Sequence, residues 1–216
     1  PRSTLFPYTT LFRSPEGGEL TVADNGGSTV SSIAPIFGGN YNKTGWVQML
    51  YPASMLTELT NKQITQITFY NKNTNITDCK EGVVEVLIGE TSAENESLGS
   101  SVSEATLKNS TIINGVLSVY NSTTNLLTIT LNTPYIYNGG SLIVETKVTT
   151  AGTNYGRTEF YGKQYTNDMV ATNYSISGTQ DYYKKNILPK ATFTYEKLTG
   201  VVVEPTDGTL AFGEVS

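Results

Sequence analysis

Apolar residues return at every second position through most of this chain, and that period decides the fold class. Ile67 and Phe69 alternate with Thr68 and Tyr70, and Val84, Val86 and Ile88 alternate with Glu85 and Leu87. Leu127, Ile129 and Leu131 alternate with Thr128 and Thr130. Leu142, Val144 and Val148 oppose Ile143, Glu145 and Lys147, and Ala191, Phe193 and Tyr195 alternate with Thr192, Thr194 and Glu196. A strand sends successive side chains to opposite faces, so each segment predicts a strand with one face inward and the other polar or mixed. A slip of one residue would turn every apolar face to water, so the register is strongly specified.

Turn residues separate these runs: Gly38-Gly39-Asn40, Asn114-Gly115, Asn138-Gly139-Gly140 and Ser177-Gly178. Asn-Gly supplies the positive φ angles of tight hairpin turns. Many short strands with such punctuation predict an all-β fold, a two-sheet antiparallel β-sandwich of jelly-roll-like kind. One or two short helices accompany it. Residues 52–59 form one, with Pro52 at the first helical position and Met55, Leu56 and Leu59 as its apolar stripe. A second is expected over residues 101–108.

Of 216 residues, only 15% are charged and 38% are hydrophobic; Thr, Ser, Asn, Gly and Tyr fill the difference. A chain that solvates itself with hydroxyls and amides has the profile of an exported β-rich protein more than of a cytosolic enzyme. The net charge of -5 argues against nucleic acid, which needs clustered Lys and Arg. Lys184-Lys185 is the nearest approach to such a cluster, and Asp181 lies beside it. No run reaches the roughly 20 apolar residues of a membrane helix, so membrane insertion is not expected. The single cysteine, Cys79, forms no intrachain disulfide, and with no histidine in the chain nothing marks it as a reactive thiol.

Residues 4–14 read TLFPYTTLFRS and resemble the in-frame translation of a sequencing adapter. The resemblance implies that residues 1–18 are an artefactual head, that the true start and any export signal are missing, and that the chain is an internal fragment. Residues 19–197 then form the sandwich module. Residues 198–216 change texture, through Glu204-Pro205-Thr206-Asp207-Gly208 into Leu210-Ala211-Phe212-Gly213-Glu214-Val215. That last string resembles the opening strand of immunoglobulin-like domains of the hydin and spindle-protein families, which implies a linker and the cut-off start of a following domain.

Four further segments stand out, residues 51–56 (YPASML), 64–70 (ITQITFY), 133–144 (TPYIYNGGSLIV) and 187–195 (ILPKATFTY). In this order and spacing they resemble a β-sandwich module of exported multidomain proteins of Bacteroidota. The resemblance spans about residues 20–196. It implies an extracellular or cell-surface location and neighbouring fibronectin type III or immunoglobulin-like domains. It brings no catalytic site.

Zero histidines remove Ser-His-Asp and Cys-His triads and histidine zinc sites, and one cysteine removes a thiolate zinc site. Carboxylate chemistry remains, and a glycosidase needs two acids about 5–10 Å apart in a cleft. Asp24, Asp168 and Asp181 are candidates that the sequence cannot pair; they read as surface or turn acids, so no enzyme is expected. The aromatic content says more. Of fourteen tyrosines and one tryptophan, Trp46, Tyr155, Tyr161, Tyr165, Tyr174, Tyr182 and Tyr183 fall in or beside expected loops and strand ends. Sugar-binding sandwiches stack pyranose C–H faces on such rings, with Asn154, Gln164, Asn167 and Asp168 available for the hydroxyls. Aromatics also favour strands and cores, and Trp46 fits the core better than a ligand platform. No cofactor is expected. Asp24 and Asn25, in Asp24-Asn25-Gly26-Gly27, offer oxygens to a structural calcium, though an Asx- and Gly-rich turn explains them as well. Sequons at Asn42, Asn75, Asn95, Asn109 and Asn121 are what chance gives a chain this rich in Asn, Ser and Thr. The expected function is a non-catalytic module of a secreted or cell-surface bacterial protein that binds glycan or another surface ligand, or acts as a spacer. The alternatives are a protein-binding adhesin or scaffold module and an accessory domain of a peptidase or glycosidase.

Overall fold

The period-two runs form strands paired with the register that buries their apolar faces. The computed structural model describes residues 16–27, 29–31, 34–36, 43–72, 76, 81–92, 107–152, 158–165, 171–176 and 183–198, with the backbone alone for residues 29, 30, 117, 171–176 and 183–185. The adapter-like string, Cys79, the turns at 38–40 and 177–178, residues 101–106 of the helix expected over 101–108 and the tail from 199 lie outside the described residues.

The strands are β1 (Gly17–Val22), β2 (Thr29–Ser31), β3 (Gly45–Tyr51), β4 (Lys62–Tyr70), β5 (Val83–Thr91), β6 (Lys108–Asn114) and β7 (Tyr120–Asn121). Then follow β8 (Leu126–Tyr137), β9 (Ser141–Thr150), β10 (Phe160–Gln164), β11 (Ala171–Ile176), β12 (Tyr183–Lys185), β13 (Ile187–Pro189) and β14 (Ala191–Lys197). Two main antiparallel sheets result, one in the order β1-β14-β4-β8-β7 and one in the order β12-β11-β3-β9-β5-β6. A small third sheet runs β13-β10-β2. The chain is an all-β sandwich, and from β3 to β9 it passes repeatedly from one main sheet to the other, as a jelly roll does.

The interior lies between the main sheets. Ile67, Phe69, Leu127, Ile129 and Phe193 from one sheet meet Met49, Tyr51, Val84, Val86, Ile88 and Val144 from the other, each buried. The Tyr51 ring stands edge-on to Phe193, centroids 5.4 Å apart at 89°. Its hydroxyl donates to the Pro189 carbonyl at 3.2 Å, so a fully buried phenol is satisfied. Burial pushes its pKa well above the usual phenol value, so it is neutral wherever the fold persists.

Several expectations change in detail. Residues 52–59 form two 3-10 turns, Ala53–Met55 and Thr57–Leu59, with Pro52 capping the first rather than entering it. With three residues per 3-10 turn, Leu56 and Leu59 fall on one side, and both are fully buried. Lys108 opens a strand, not the end of a helix. Strand β1 begins at Gly17, within the stretch read as head, and Gly17 and Gly18 pair with Glu196 and Tyr195. Glu16 and Lys197 close that end through a backbone bond and an ion pair. Asn138-Gly139-Gly140 is no hairpin; it carries the chain from β8 in one sheet to β9 in the other. Asn114-Gly115 likewise leaves the six-stranded sheet instead of reversing within it. Residues Ser141 to Thr146 of β9 are buried on both faces. On the outer face Ile143 joins Leu50 and Leu107 in a second apolar cluster, and Gln48 Nε2 donates to the buried Glu145 carboxylate at 2.5 Å.

Strand β8 carries the irregularity that shapes the candidate site. Its first part pairs with β4 as far as Thr130↔Gln66, and pairing resumes at Tyr135↔Ile64, so residues 131–134 bulge out opposite Thr65. Pro134 has no N–H for a ladder, which suits it to that stretch. The bulge leans onto β6. The Asn132 N–H donates to Thr111 Oγ1 at 3.0 Å, and Asn132 Nδ2 donates to the Ser110 carbonyl at 3.3 Å. Asn109 Nδ2 donates to the carbonyls of Thr133 and Pro134, both at 3.3 Å. The sandwich is thus closed at this side by amides rather than by a ladder.

Candidate ligand groove

Where β8 leaves the bulge and β5 and β6 end and begin, the surface sinks into a groove of about 570 Å³, lined by Glu90, Lys108, Asn109, Pro134, Tyr135, Ile136 and Asn138. That volume lies in the range of about 300–1,000 Å³ found for small-ligand sites. Glu90 organises one wall. Its Oε1 accepts from Tyr135 Oη at 3.1 Å, from the Asn138 N–H at 2.9 Å and from Asn138 Nδ2 at 3.2 Å. Its Oε2 accepts from the Gly140 N–H at 2.7 Å. The carboxylate therefore clasps the Asn138–Gly139–Gly140 arch, where Gly139 supplies the positive φ of 108°. Tyr137 completes the clasp by donating its hydroxyl to the Gly140 carbonyl at 2.6 Å. Burial, reinforced by the Glu90 charge, raises the pKa of Tyr135 strongly and that of Tyr137 to about 12, so both phenols act as neutral donors.

The opposite wall belongs to β6 and the bulge. Lys108 is exposed and has no carboxylate at ion-pair distance among the described residues. Pro134 is exposed, Tyr135 is half-buried and Ile136 is 48% exposed, which gives the groove an apolar strip. No family model, curated protein or solved structure matches this chain.

Of the aromatic residues singled out in the sequence, the side chains of Trp46, Tyr161 and Tyr165 are described, and they lie on different sheets. Trp46 lies on the outer face of the six-stranded sheet, because Val47, Met49 and Tyr51 take the inner one; it is half-buried and outside the interior that its surroundings predict for it. In register it stands between Lys147 and Ser175. Tyr161 and Tyr165 belong to β10 and its exit, in the third sheet. The Tyr161 ring lies over Gly27, whose added Cβ would stand 3.5 Å from it. Tyr165 is half-buried, with its hydroxyl 3.9 Å from Met55 Sδ, and burial raises its pKa. The Tyr165 ring packs against the core, and Tyr161 is half-buried beside Gly27. The register pairs Tyr174 with Tyr183 across β11 and β12. Tyr155, Asp168, Tyr182 and Asp181 lie outside the described residues.

Asp24 and Asn25 sit in an exposed turn. Lys190 Nζ reaches Asp24 Oδ2 at 2.8 Å, and the Gly26 N–H donates to Asp24 Oδ1 at 3.0 Å. The Lys190 bond first, and the backbone bond after it, hold the Asp24 carboxyl below its ordinary pKa. A lysine ammonium thus stands where a cation would bind. Among the described residues no group of three or more Cys, Asp and Glu side chains comes together as a metal cluster would.

The groove residues sequence reasoning missed are Glu90, Lys108 and Tyr135. Glu90 ends an ordinary alternating strand, and its partners lie 45 to 50 positions downstream. The visible signal was the 133–144 segment, whose Pro134 and double glycine mark a bulge and an arch.

Proposed function

We propose that this chain is a non-catalytic module of an exported bacterial protein, and that it binds glycan in the groove between β5, β6 and β8. The observation that carries the reading is the groove's mixed lining, with an apolar strip around a half-buried tyrosine, flanking amides and one lysine. Such a lining matches the alternating C–H faces and hydroxyls of a sugar. The carboxylates support the non-catalytic part. Asp24, Glu58, Glu85, Glu90, Glu145 and Glu196 each accept a hydrogen bond from a structural partner, as the Lys190, Tyr195, Ser110, Gly140, Gln48 and Gln63 contacts attest.

Two observations weigh against the alternatives. The ends of the sandwich meet, with Gly17 opposite Glu196, so the module adds little length between its neighbours and is a poor spacer. Among the described residues the exposed large apolar side chains are Ile112 on β6, Ile136 on β8 and Leu198 after β14, which is little apolar surface for a protein-binding face. Among the described residues no helix is long and apolar enough to cross a membrane. Exposing the full chain to a polysaccharide panel by biolayer interferometry tests the reading. Saturable binding to one or more members supports it; a blank panel removes the glycan assignment.

A further inference from the structure

We propose that the groove takes an acidic saccharide, with the sugar's carboxylate seated on the Lys108 ammonium; this deepens, and rests on, the glycan reading above. The unsatisfied chemistry of the lining selects this class. Lys108 presents an ammonium with three N–H donors, stands in β6 opposite Ile88, and finds no carboxylate at ion-pair distance among the described residues. The acid of the lining, Glu90, already accepts from four donors on the arch side. The hydrated Lys108 ammonium is therefore the cation of the lining that a ligand anion can meet.

The amides narrow the choice further. Asn109 spends Nδ2 on two backbone carbonyls, and Asn138 spends Nδ2 on Glu90 and on the Ile136 carbonyl at 3.4 Å. What each has left is an Oδ1 acceptor, which asks for a hydroxyl donor. One anion, several hydroxyls and a C–H face for the Pro134–Ile136 strip describe a pyranose bearing a carboxylate. An added peptide strand fits less well, because the Thr133 and Pro134 carbonyls that would begin its ladder already accept from Asn109. A polynucleotide needs a row of cations that a single lysine does not supply.

The test uses the full chain with matched probes, polygalacturonate against galactan and sialyl-lactose against lactose, which also separates a uronate from a sialic acid. The variants are Lys108→Gln and, as a charge-matched control at another exposed lysine, Lys43→Gln. The expected result is binding to an acidic probe over its neutral partner, weakened about tenfold or more by Lys108→Gln and less than about twofold by Lys43→Gln. Equal affinity for acidic and neutral probes overturns this inference and leaves the glycan reading standing. So does acidic binding that both variants weaken alike. Absence of binding to all four probes overturns the inference, and the wider panel then decides the glycan reading separately. Thermal melts of both variants confirm that any loss is not one of folding.

Discussion

Replacing Glu90 measures how much one side chain contributes to holding the two sheets at the arch. Glu90→Ala deletes the acceptor of Tyr135 Oη, of the Asn138 and Gly140 N–H groups and of Asn138 Nδ2. The Tyr135 and Gly140 bonds are part-buried, while both bonds from Asn138 are exposed and water replaces them cheaply. A hydrogen bond to a charged group contributes about 1.5–3 kcal/mol when shielded, so the two sheltered bonds at the low end make the loss roughly 3 kcal/mol. In a domain of this size about 1 kcal/mol moves Tm by about 2–4 °C, which places the fall near 6–12 °C. Glu90→Gln separates the bonds. An oxygen at the Oε1 position keeps three donors, and an NH₂ at the Oε2 position faces the Gly140 N–H, so about half the loss is expected. Thermal melts followed by circular dichroism, with urea curves to obtain the free energy, read both variants. An alanine variant melting within about 2 °C of the parent would show that the arch holds itself and would refute the clasp.

Three further outcomes follow from the same geometry. A methyl added in Gly162→Ala would stand 2.4 Å from the Leu188 carbonyl oxygen and 3.1 Å from Pro189 Cα, both backbone, so β10 and β13 must part at about 1–3 kcal/mol. Gly26→Ala meets nothing within 4 Å and bears only its φ of 59°, about 1 kcal/mol; urea curves that rank the two the other way contradict the packing. Asp24 has a folded pKa below its unfolded value, so its contribution is full above about pH 4 and is lost as pH falls through the folded pKa. Asp24→Asn should therefore trail the parent at neutral pH and converge with it in acid; a gap constant down to acid pH sinks the Lys190 pairing. Tyr137 runs the other way, its pKa raised to about 12 against about 10 unfolded, so that stability is full below about pH 10 and drains away above it. Ultraviolet titration should show late phenols, Tyr51 and Tyr135 among them, ionising together with loss of near-ultraviolet circular dichroism; complete ionisation near pH 10 in a still-folded chain would refute their burial.

The strands were legible because their signal is local. Ile67 and Phe69, or Val84, Val86 and Ile88, declare an inward face within a few residues, and the pairing obeys it. Two kinds of feature were hidden. Asn138-Gly139-Gly140 announces a turn, but only the placement of β8 and β9 in different sheets makes it an arch, and that depends on the whole chain. Outer faces misled for the same reason. Glu145 reads as a solvated acid in an alternating strand, yet it is 1% exposed, beside Gln48 from a strand almost a hundred residues earlier. The groove was partly legible, since Pro134 and Tyr135 lie in a segment that stood out. The partnership of Lys108 with them arises only when the bulge at 131–134 leans on β6. Of the tyrosines singled out, Tyr165 packs against the core, which its loop-side position in the sequence did not announce.

The pairing of β1 with β14 has a mechanical consequence. Because Gly17 faces Glu196, tension applied through the two ends of the sandwich falls on the Gly17–Glu196 rung alone and then on each rung in turn, as when a zipper is drawn open. The Glu16–Lys197 contact is the tab that must be lifted first. Opposite-pole attachment would load all the rungs of a strand pair at once and resist far longer. A bead fastened in this way hangs beside the line of pull, and it should yield at low force in an optical trap.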